Sequence, residues 1–183
     1  MKESIKIDSR WTLFLDRDGV INHKINDGYV KKWPEFSFIR GAVQALAVLS
    51  TLFSRIIVVT NQRGIGKGLM TENDLNLIHD KMMNSISMHG GRIDKIYYCS
   101  EILETSFYRK PNIGLALMAK TDFPEIDFEK SIMVGDSKGD MEFGKKLKMI
   151  TVYIGSASNL SIELVDLSCS SLFEASFKLR QMQ

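Results

Sequence analysis

The stretch TLFLDRDGVI, residues 12–21, runs from an apolar segment into two carboxylates, Asp16 and Asp18, and then into Gly19. With Trp11 in front of it, the segment is a nearly continuous apolar run of strand length. It therefore reads as an interior parallel strand, buried on both faces. Two carboxylates two positions apart on extended backbone start on one face, and Gly19 lets the chain turn at once. Acids placed in this way need a counter-ion.

The segments around this strand repeat one pattern. After a polar excursion over residues 23–38, GAVQALAVLSTLF (41–53) is rich in helix formers, with Val43, Leu46, Ala47 and Leu49 able to share a buried side. RIIVVT (55–60) is β-branched and closed by TNQRG, completing a strand–helix–strand unit. Thr71 with Asp74 resembles a capping box in which Asp replaces Glu, and Leu75, Ile78 and Met82 follow at helical spacing, predicting a helix over 72–88. Its His79 and His89 lack the neighbouring Cys or carboxylate pattern of a metal site and read as structural or solvated. IDKIYYCS (93–100), KSIMVGD (130–136) and MITVYIG (149–155) are further strands. Pro111 is suited to the first turn of a helix continuing through 114–121, and DMEFGKKL (140–147) to a short helix. The serine-rich SASNLS (156–161) and SCSS (168–171) read as surface connections. Such alternation predicts a three-layer α/β fold with a mostly parallel central sheet and sites beyond the carboxyl ends of the strands.

A chain of 183 residues that is 44% hydrophobic is long enough for one core and short for two, so a single domain over residues 1–183 is expected. The 24 basic and 22 acidic side chains leave a net charge of +2, too small to argue for nonspecific nucleic-acid binding. Cys99 and Cys169 do not imply a disulfide framework, and a reducing cytosol is the simplest compartment. Lys2, Lys6 and Arg10 make a basic start, but no signal-like apolar segment or membrane-length run follows. The expectation is a soluble, cytoplasmic protein.

The polar residues at the strand ends are suited to phosphoryl chemistry. Asp16 and Asp18 can converge on one Mg²⁺, which takes hard oxygen ligands and keeps room for water and substrate phosphate, with Asp136 as an additional ligand. One carboxylate can attack phosphorus while the other protonates the leaving oxygen and later activates water. Asp16, nearer the strand, is favoured as nucleophile and Asp18, on the turn, as acid/base, with the reverse order left open. Thr60 and Asn61 end the next strand, where a hydroxyl and backbone N–H groups can receive phosphate oxygens, and Gly64, Gly66 and Gly68 let the chain bend around an anion. GIGKG lacks the GxxxxGK[ST] spacing of a P-loop. Lys110 supplies a compact charge for a transferring phosphoryl group, and Arg109 a fork for a second oxyanion. Asp140, four residues after Asp136, can cap a helix that begins at Ser137 and support the site.

The ordered set DRDG, VVTNQRGIG, YRKP and VGDSKGD resembles the motifs of the haloacid dehalogenase-like phosphatases and spans most of the chain. The resemblance implies a Rossmann-like core and a Mg²⁺-dependent aspartyl-phosphate intermediate. It casts Asp16 as nucleophile, Asp18 as general acid/base and backbone-carbonyl metal ligand, and Thr60 as a phosphate contact. Lys110 becomes the charge clamp, Asp136 a metal ligand and Asp140 a supporting acid. DRDGVINHKINDGYV, FSFIRG and TNQRGIG are similar to segments of the group formed by D-glycero-D-manno-heptose 1,7-bisphosphate and histidinol-phosphate phosphatases. That likeness implies a small phosphorylated sugar as substrate, a place in carbohydrate metabolism toward lipopolysaccharide and other surface-polysaccharide precursors, and a distal phosphate for Arg109.

Many members of that group carry a Cys/His zinc loop before RKP. Here CSEILETSFYRKP has one Cys and no His, so no structural zinc is expected. No interval between the motifs is long enough for a large cap domain. The insert 23–38 can line the entrance, with Tyr29 and Trp33 packing a sugar edge or a neighbouring loop. Within that group histidinol phosphate is the alternative substrate, and two other accounts remain at this level. TNQRGIGKG and RKP also resemble the phosphatase half of DNA end-processing enzymes, implying a polynucleotide 3′-phosphatase, and a phosphate-ligand sensor or scaffold would retain the same fold without turnover.

Overall fold

The computed structural model describes residues 6–156 and 160–183. Six strands, β1 (Thr12–Leu15), β2 (Arg55–Asn61), β3 (Lys95–Cys99), β4 (Ser131–Gly135), β5 (Ile150–Ile154) and β6 (Leu167–Cys169), form one sheet in the order β3-β2-β1-β4-β5-β6. Every neighbouring pair is parallel. The chain leaves β1 toward β2 and β3 and later crosses to β4 on the other side of β1. The strand order thus reverses at β1, the switch point at which open parallel sheets form their crevices.

Strand β1 is buried along its whole length, as its apolar run requires. Leu13 and Leu15 face a core shared with α1 (Ala42–Leu52), α3 (Glu72–Ser87) and α6 (Leu172–Arg180). Phe14 points the other way, toward α4 (Gly114–Asp122) and α5 (Lys138–Lys146), among Ile57, Val59, Met133, Leu115 and Phe143. Alternation along a strand with both faces covered accounts for the three layers. Among the described residues no helix is long and apolar enough to cross a membrane.

Local chemistry sets the helix starts. Thr71 and Asp74 form the expected reciprocal capping box at α3, and Ser137 with Asp140 forms another at α5, starting that helix two residues before the predicted span. Helix α1 turns slightly from its predicted face: Ala42, Ala45, Leu46, Leu49 and Leu52 are buried, whereas Val43 and Ala47 are only half-buried. Pro111 lies in the turn ahead of α4, which begins at Gly114.

Two readings are corrected. The SCSS segment is not a surface connection: Cys169 ends β6, and Ser171 caps α6 by accepting from the Glu174 N–H at 3.2 Å. The S-x-x-E spacing of Ser171 and Glu174 was the signal for that helix, while a three-residue strand is too short to show alternation. The TNQRG turn is also more ordered than expected, with Arg63–Gly66 forming the single helical turn α2. A Cβ on Gly66 would lie 2.3 Å from the Ser100 carbonyl oxygen, so this glycine serves a close backbone approach. SASNLS falls partly outside the described residues.

Phe14 is fully buried at the centre of the sheet and lies 6.2 Å, centroid to centroid, from Phe128. Phe14→Ala should lower the unfolding free energy by about 3–5 kcal/mol through lost burial and the cavity left behind. Urea denaturation checks this, and a loss below about 1 kcal/mol would contradict the packing described.

Candidate active site

Asp16 follows β1, Thr60 and Asn61 end β2, and Asp136 follows β4, so the switch point brings all four to one edge of the sheet. The Asp16 N–H donates to the Val134 carbonyl at 2.9 Å, extending the β1–β4 ladder one residue past the strand. Gly19 takes φ +89°, and a Cβ there would lie 2.1 Å from Asp136 Oδ2. Only glycine allows the turn to pass so close to that carboxylate.

Asp140 reaches the same place from α5. Its Oδ2 accepts from the Ser137 N–H at 3.1 Å and the Ser137 hydroxyl at 2.6 Å, leaving Oδ1 to accept from Lys110 Nζ at 2.5 Å. The same ammonium donates to Asp16 Oδ1 at 2.8 Å. Lys110 is buried and is fixed at its backbone by Asn61, whose Oδ1 accepts from the Lys110 N–H and whose Nδ2 donates to the Lys110 carbonyl, both at 3.1 Å. Asn61, expected to contact substrate, thus spends its amide on the loop that carries Lys110.

Carboxylate oxygens of Asp16, Asp136 and Asp140 lie within 4.8 Å of one another. Facing these three acids are Lys110 and the half-exposed Lys24, which pairs with Asp136 Oδ2. Burial pushes the Asp16 carboxyl up to about 7 against the opposing pull of Lys110, with Asp140 and Asp18 adding repulsion. Burial also raises Asp136, although Lys24 pulls it down. At Lys110 burial works against the charge, yet Asp140 and Asp16 overcome it and hold the ammonium above its ordinary value. Negative charge in excess, carried by hard oxygens on converging elements, fits a divalent cation. The side chains in this group are Asp16, Asp136 and Asp140; the Asp18 carboxylate lies outside it.

Asp18 is held elsewhere. Its oxygens accept from Arg17 Nη2 at 2.9 Å each, from Asn22 Nδ2 at 2.9 Å and from Gln62 Nε2 at 2.9 Å. Burial opposes its charge, but Arg17 and these donors lower its pKa overall. Thr60 is buried, and its hydroxyl accepts from the same Gln62 Nε2 at 2.9 Å. Arg17, Asn22, Lys24 and Gln62 were not singled out in the sequence. A residue between two acids belongs by strand alternation to the opposite face, but β1 ends at Leu15 and Arg17 beyond it turns onto Asp18.

Arg109 lies beside this centre, its Nη1 buried without a hydrogen-bond partner among the described residues and its Nη2 3.9 Å from Glu104. With Lys110, Lys138 and Glu142 it lines a cavity of about 430 Å³. Trp33 stacks on Phe36 at 5.0 Å, so its ring packs within the insert, while the Tyr29 ring lies 5.2 Å from Lys67 Nζ. Of the two histidines read as structural or solvated, His89 is exposed and His79 is buried against Arg17.

A family model described as polynucleotide kinase 3 phosphatase matches residues 13–166, placing the chain in that family of phosphatases. The chain is 37% identical over 171 residues to the D-glycero-alpha-D-manno-heptose-1,7-bisphosphate 7-phosphatase of Mycobacterium bovis, covering 90% of this chain and 89% of the relative. The chain belongs to the heptose-bisphosphatase family of haloacid dehalogenase-like phosphatases. A second member of the heptose-bisphosphatase family, the D-glycero-beta-D-manno-heptose-1,7-bisphosphate 7-phosphatase of Pasteurella multocida, is 37% identical over 144 residues, covering 75% of this chain and 77% of that one. Among solved heptose bisphosphatases, the D,D-heptose 1,7-bisphosphate phosphatase of B. bronchiseptica, complexed with magnesium and phosphate, superposes with a TM-score of 0.86 at 27% identity, covering 94% of this chain and 99% of that one.

The electrostatics of the cluster set a pH dependence. The Asp16 pKa stands above its ordinary 3.8, so its protonated form contributes stability that is complete below 3.8 and is lost as pH rises through about 7. A divalent cation replaces the proton, so Mg²⁺ should raise the melting temperature more at about pH 8 than at about pH 5. Thermal melts of wild type and Asp16→Asn, with and without Mg²⁺, measure this. An equal shift at both pH values would contradict the excess negative charge.

Proposed function

We propose that the protein is a Mg²⁺-dependent phosphatase that converts D-glycero-D-manno-heptose 1,7-bisphosphate to its 1-phosphate in the cytoplasm, with residues 1–183 acting as a single domain. The observation that carries this reading is the buried Lys110 bridging Asp16 and Asp140 beside Asp136 at the switch point of the sheet. The resemblance to curated heptose bisphosphatases over nine-tenths of the chain supports the substrate class.

In this reading an Asp16 oxygen attacks phosphorus at the 7-phosphate, the P–O bond to the sugar breaks, and Asp18 delivers a proton to the departing sugar oxygen. An incoming phosphate dianion opposes ionisation of Asp18 and favours its uptake of that proton. Asp18 then takes a proton from water as the water attacks the phosphorus held on Asp16, releasing inorganic phosphate, freeing the Asp16 carboxylate and returning Asp18 to its protonated form. Lys110 holds Asp16 in line and offsets charge on the equatorial oxygens, while the end of β2 at Thr60 and Asn61 receives a phosphoryl oxygen. Asp16, Asp136 and the Asp18 backbone carbonyl would hold Mg²⁺, with Asp140 in support. When bound, the ion offsets repulsion between carboxylates and phosphate and polarises the phosphoryl group. The buried Nη1 of Arg109 beside the cavity, without a partner among the described residues, is suited to the distal 1-phosphate.

The test is phosphate release with Mg²⁺ from both anomers of the heptose bisphosphate, histidinol phosphate and a 3′-phosphorylated oligonucleotide. The oligonucleotide arm is required by the family model's own description, although the net charge of +2 argues against a polyanion. A preference for histidinol phosphate or the oligonucleotide would overturn the substrate, and binding without release from any ester would point to a sensor or scaffold. Asp16→Asn should reduce turnover by roughly 10³-fold or more while leaving the fold intact, and normal turnover by that variant would exclude Asp16 as nucleophile. Arg109→Leu should raise KM for the bisphosphate by about tenfold while changing that for a sugar monophosphate by less than about threefold. Equal changes for both substrates would remove Arg109 from the distal phosphate.

A further inference from the structure

Arg17 is fully buried between the two acids of the DRDG motif, yet its own anchoring is asymmetric. Nη2 donates to both Asp18 oxygens at 2.9 Å, Nε has no partner, and Nη1 meets only His79 Nε2, at 3.1 Å, among the described residues. His79 lies on α3, far from Asp18 in sequence, and is itself buried. We infer that His79 is a positioning residue for catalysis: its Nε2 orients the Arg17 guanidinium, and Arg17 in turn holds the Asp18 carboxylate where it meets the ester oxygen. This rests on the acid/base reading of Asp18 given above.

Hydrogen-bond directionality carries the argument. A guanidinium has only N–H groups to offer, so the His79 nitrogen that meets it must be an acceptor. The imidazole is therefore neutral, with its proton on Nδ1. Burial, with the neighbouring Arg17 charge, also drives the His79 pKa down, to about 3. The other donors to Asp18, the Asn22 and Gln62 amides, are neutral, so among the described residues Arg17 is the one cation in contact with that carboxylate. A long side chain fixed at one nitrogen keeps torsional freedom, and the His79 contact fixes the other nitrogen and removes it. The reach of Asp18 toward a leaving oxygen thus depends on a histidine that meets it only through the Arg17 guanidinium, among the described residues.

The experiment compares His79→Leu, which cannot accept a hydrogen bond, with His79→Gln, whose Oε1 can. Each is assayed with Mg²⁺ on the heptose bisphosphate and on p-nitrophenyl phosphate. The sugar alkoxide needs a proton to leave and nitrophenolate does not, and kcat/KM reports only the steps through the first P–O cleavage. For His79→Leu, kcat/KM for the sugar ester should fall roughly tenfold or more and that for the aryl ester less than about threefold, with His79→Gln within about threefold of wild type on both. The ratio of the two esters within one variant does not depend on how much of the preparation is folded. Equal falls on both esters, no fall on either, or a Gln variant as impaired as the Leu variant would overturn the positioning role while leaving the phosphatase reading in place. A wild-type protein inactive on every ester would overturn that reading and this inference with it.

Discussion

The buried ammonium of Lys110 between Asp16 and Asp140 is the interaction on which the rest of the site depends. A lysine with its charge nearly excluded from water persists only where carboxylates meet it, and removing any member would leave an uncompensated charge in a medium that solvates it poorly. The partners come from the end of β1 and from the first turn of α5, and Asn61 at the end of β2 grips the backbone of the lysine itself. One cation therefore ties together three elements that are remote in sequence. A salt bridge of this kind contributes little net stability compared with an apolar replacement. Its value lies in fixing the relative positions of Asp16 and Asp140.

The sheet makes that convergence possible. Placing β1 between β2 and β4 brings three strand ends to one edge. Asp140 shows how one residue meets two requirements: one oxygen completes the capping box of α5 by accepting from the Ser137 N–H at the helix start, and the other faces Lys110. The close approach of Gly19 to Asp136 sets a similar constraint from the other side, because any side chain there would strike the carboxylate.

The two acids of the DRDG motif end in different surroundings despite their spacing. Asp16 sits among other carboxylates and is raised, chiefly by burial; Asp18 sits among donors and is lowered, because Arg17, Asn22 and Gln62 overcome its burial. Environments that push two neighbouring carboxyls apart in proton affinity are the usual arrangement where the two play different chemical parts. The same separation explains why the oxygen cluster contains Asp140 and not the Asp18 side chain.

Much of this was legible in the amino-acid sequence, because it follows from local rules. The apolar run before Asp16 dictated a buried parallel strand, the strand–helix alternation dictated a layered α/β sheet, and the Thr71 spacing marked a helix start. Short elements escaped: three residues of β6 carry no periodicity, and the turn at Arg63–Gly66 reads as coil. What the sequence by itself determined was which residue types stand at the strand ends, and hence the class of chemistry. Only the tertiary structure decided their pairings: Asn61 with the Lys110 backbone, Asp140 with Lys110, and Arg17 with both Asp18 and His79. Strand and helix periodicities are local properties of the chain. The partner of a buried charge is set by which distant segments the sheet topology brings within hydrogen-bonding distance.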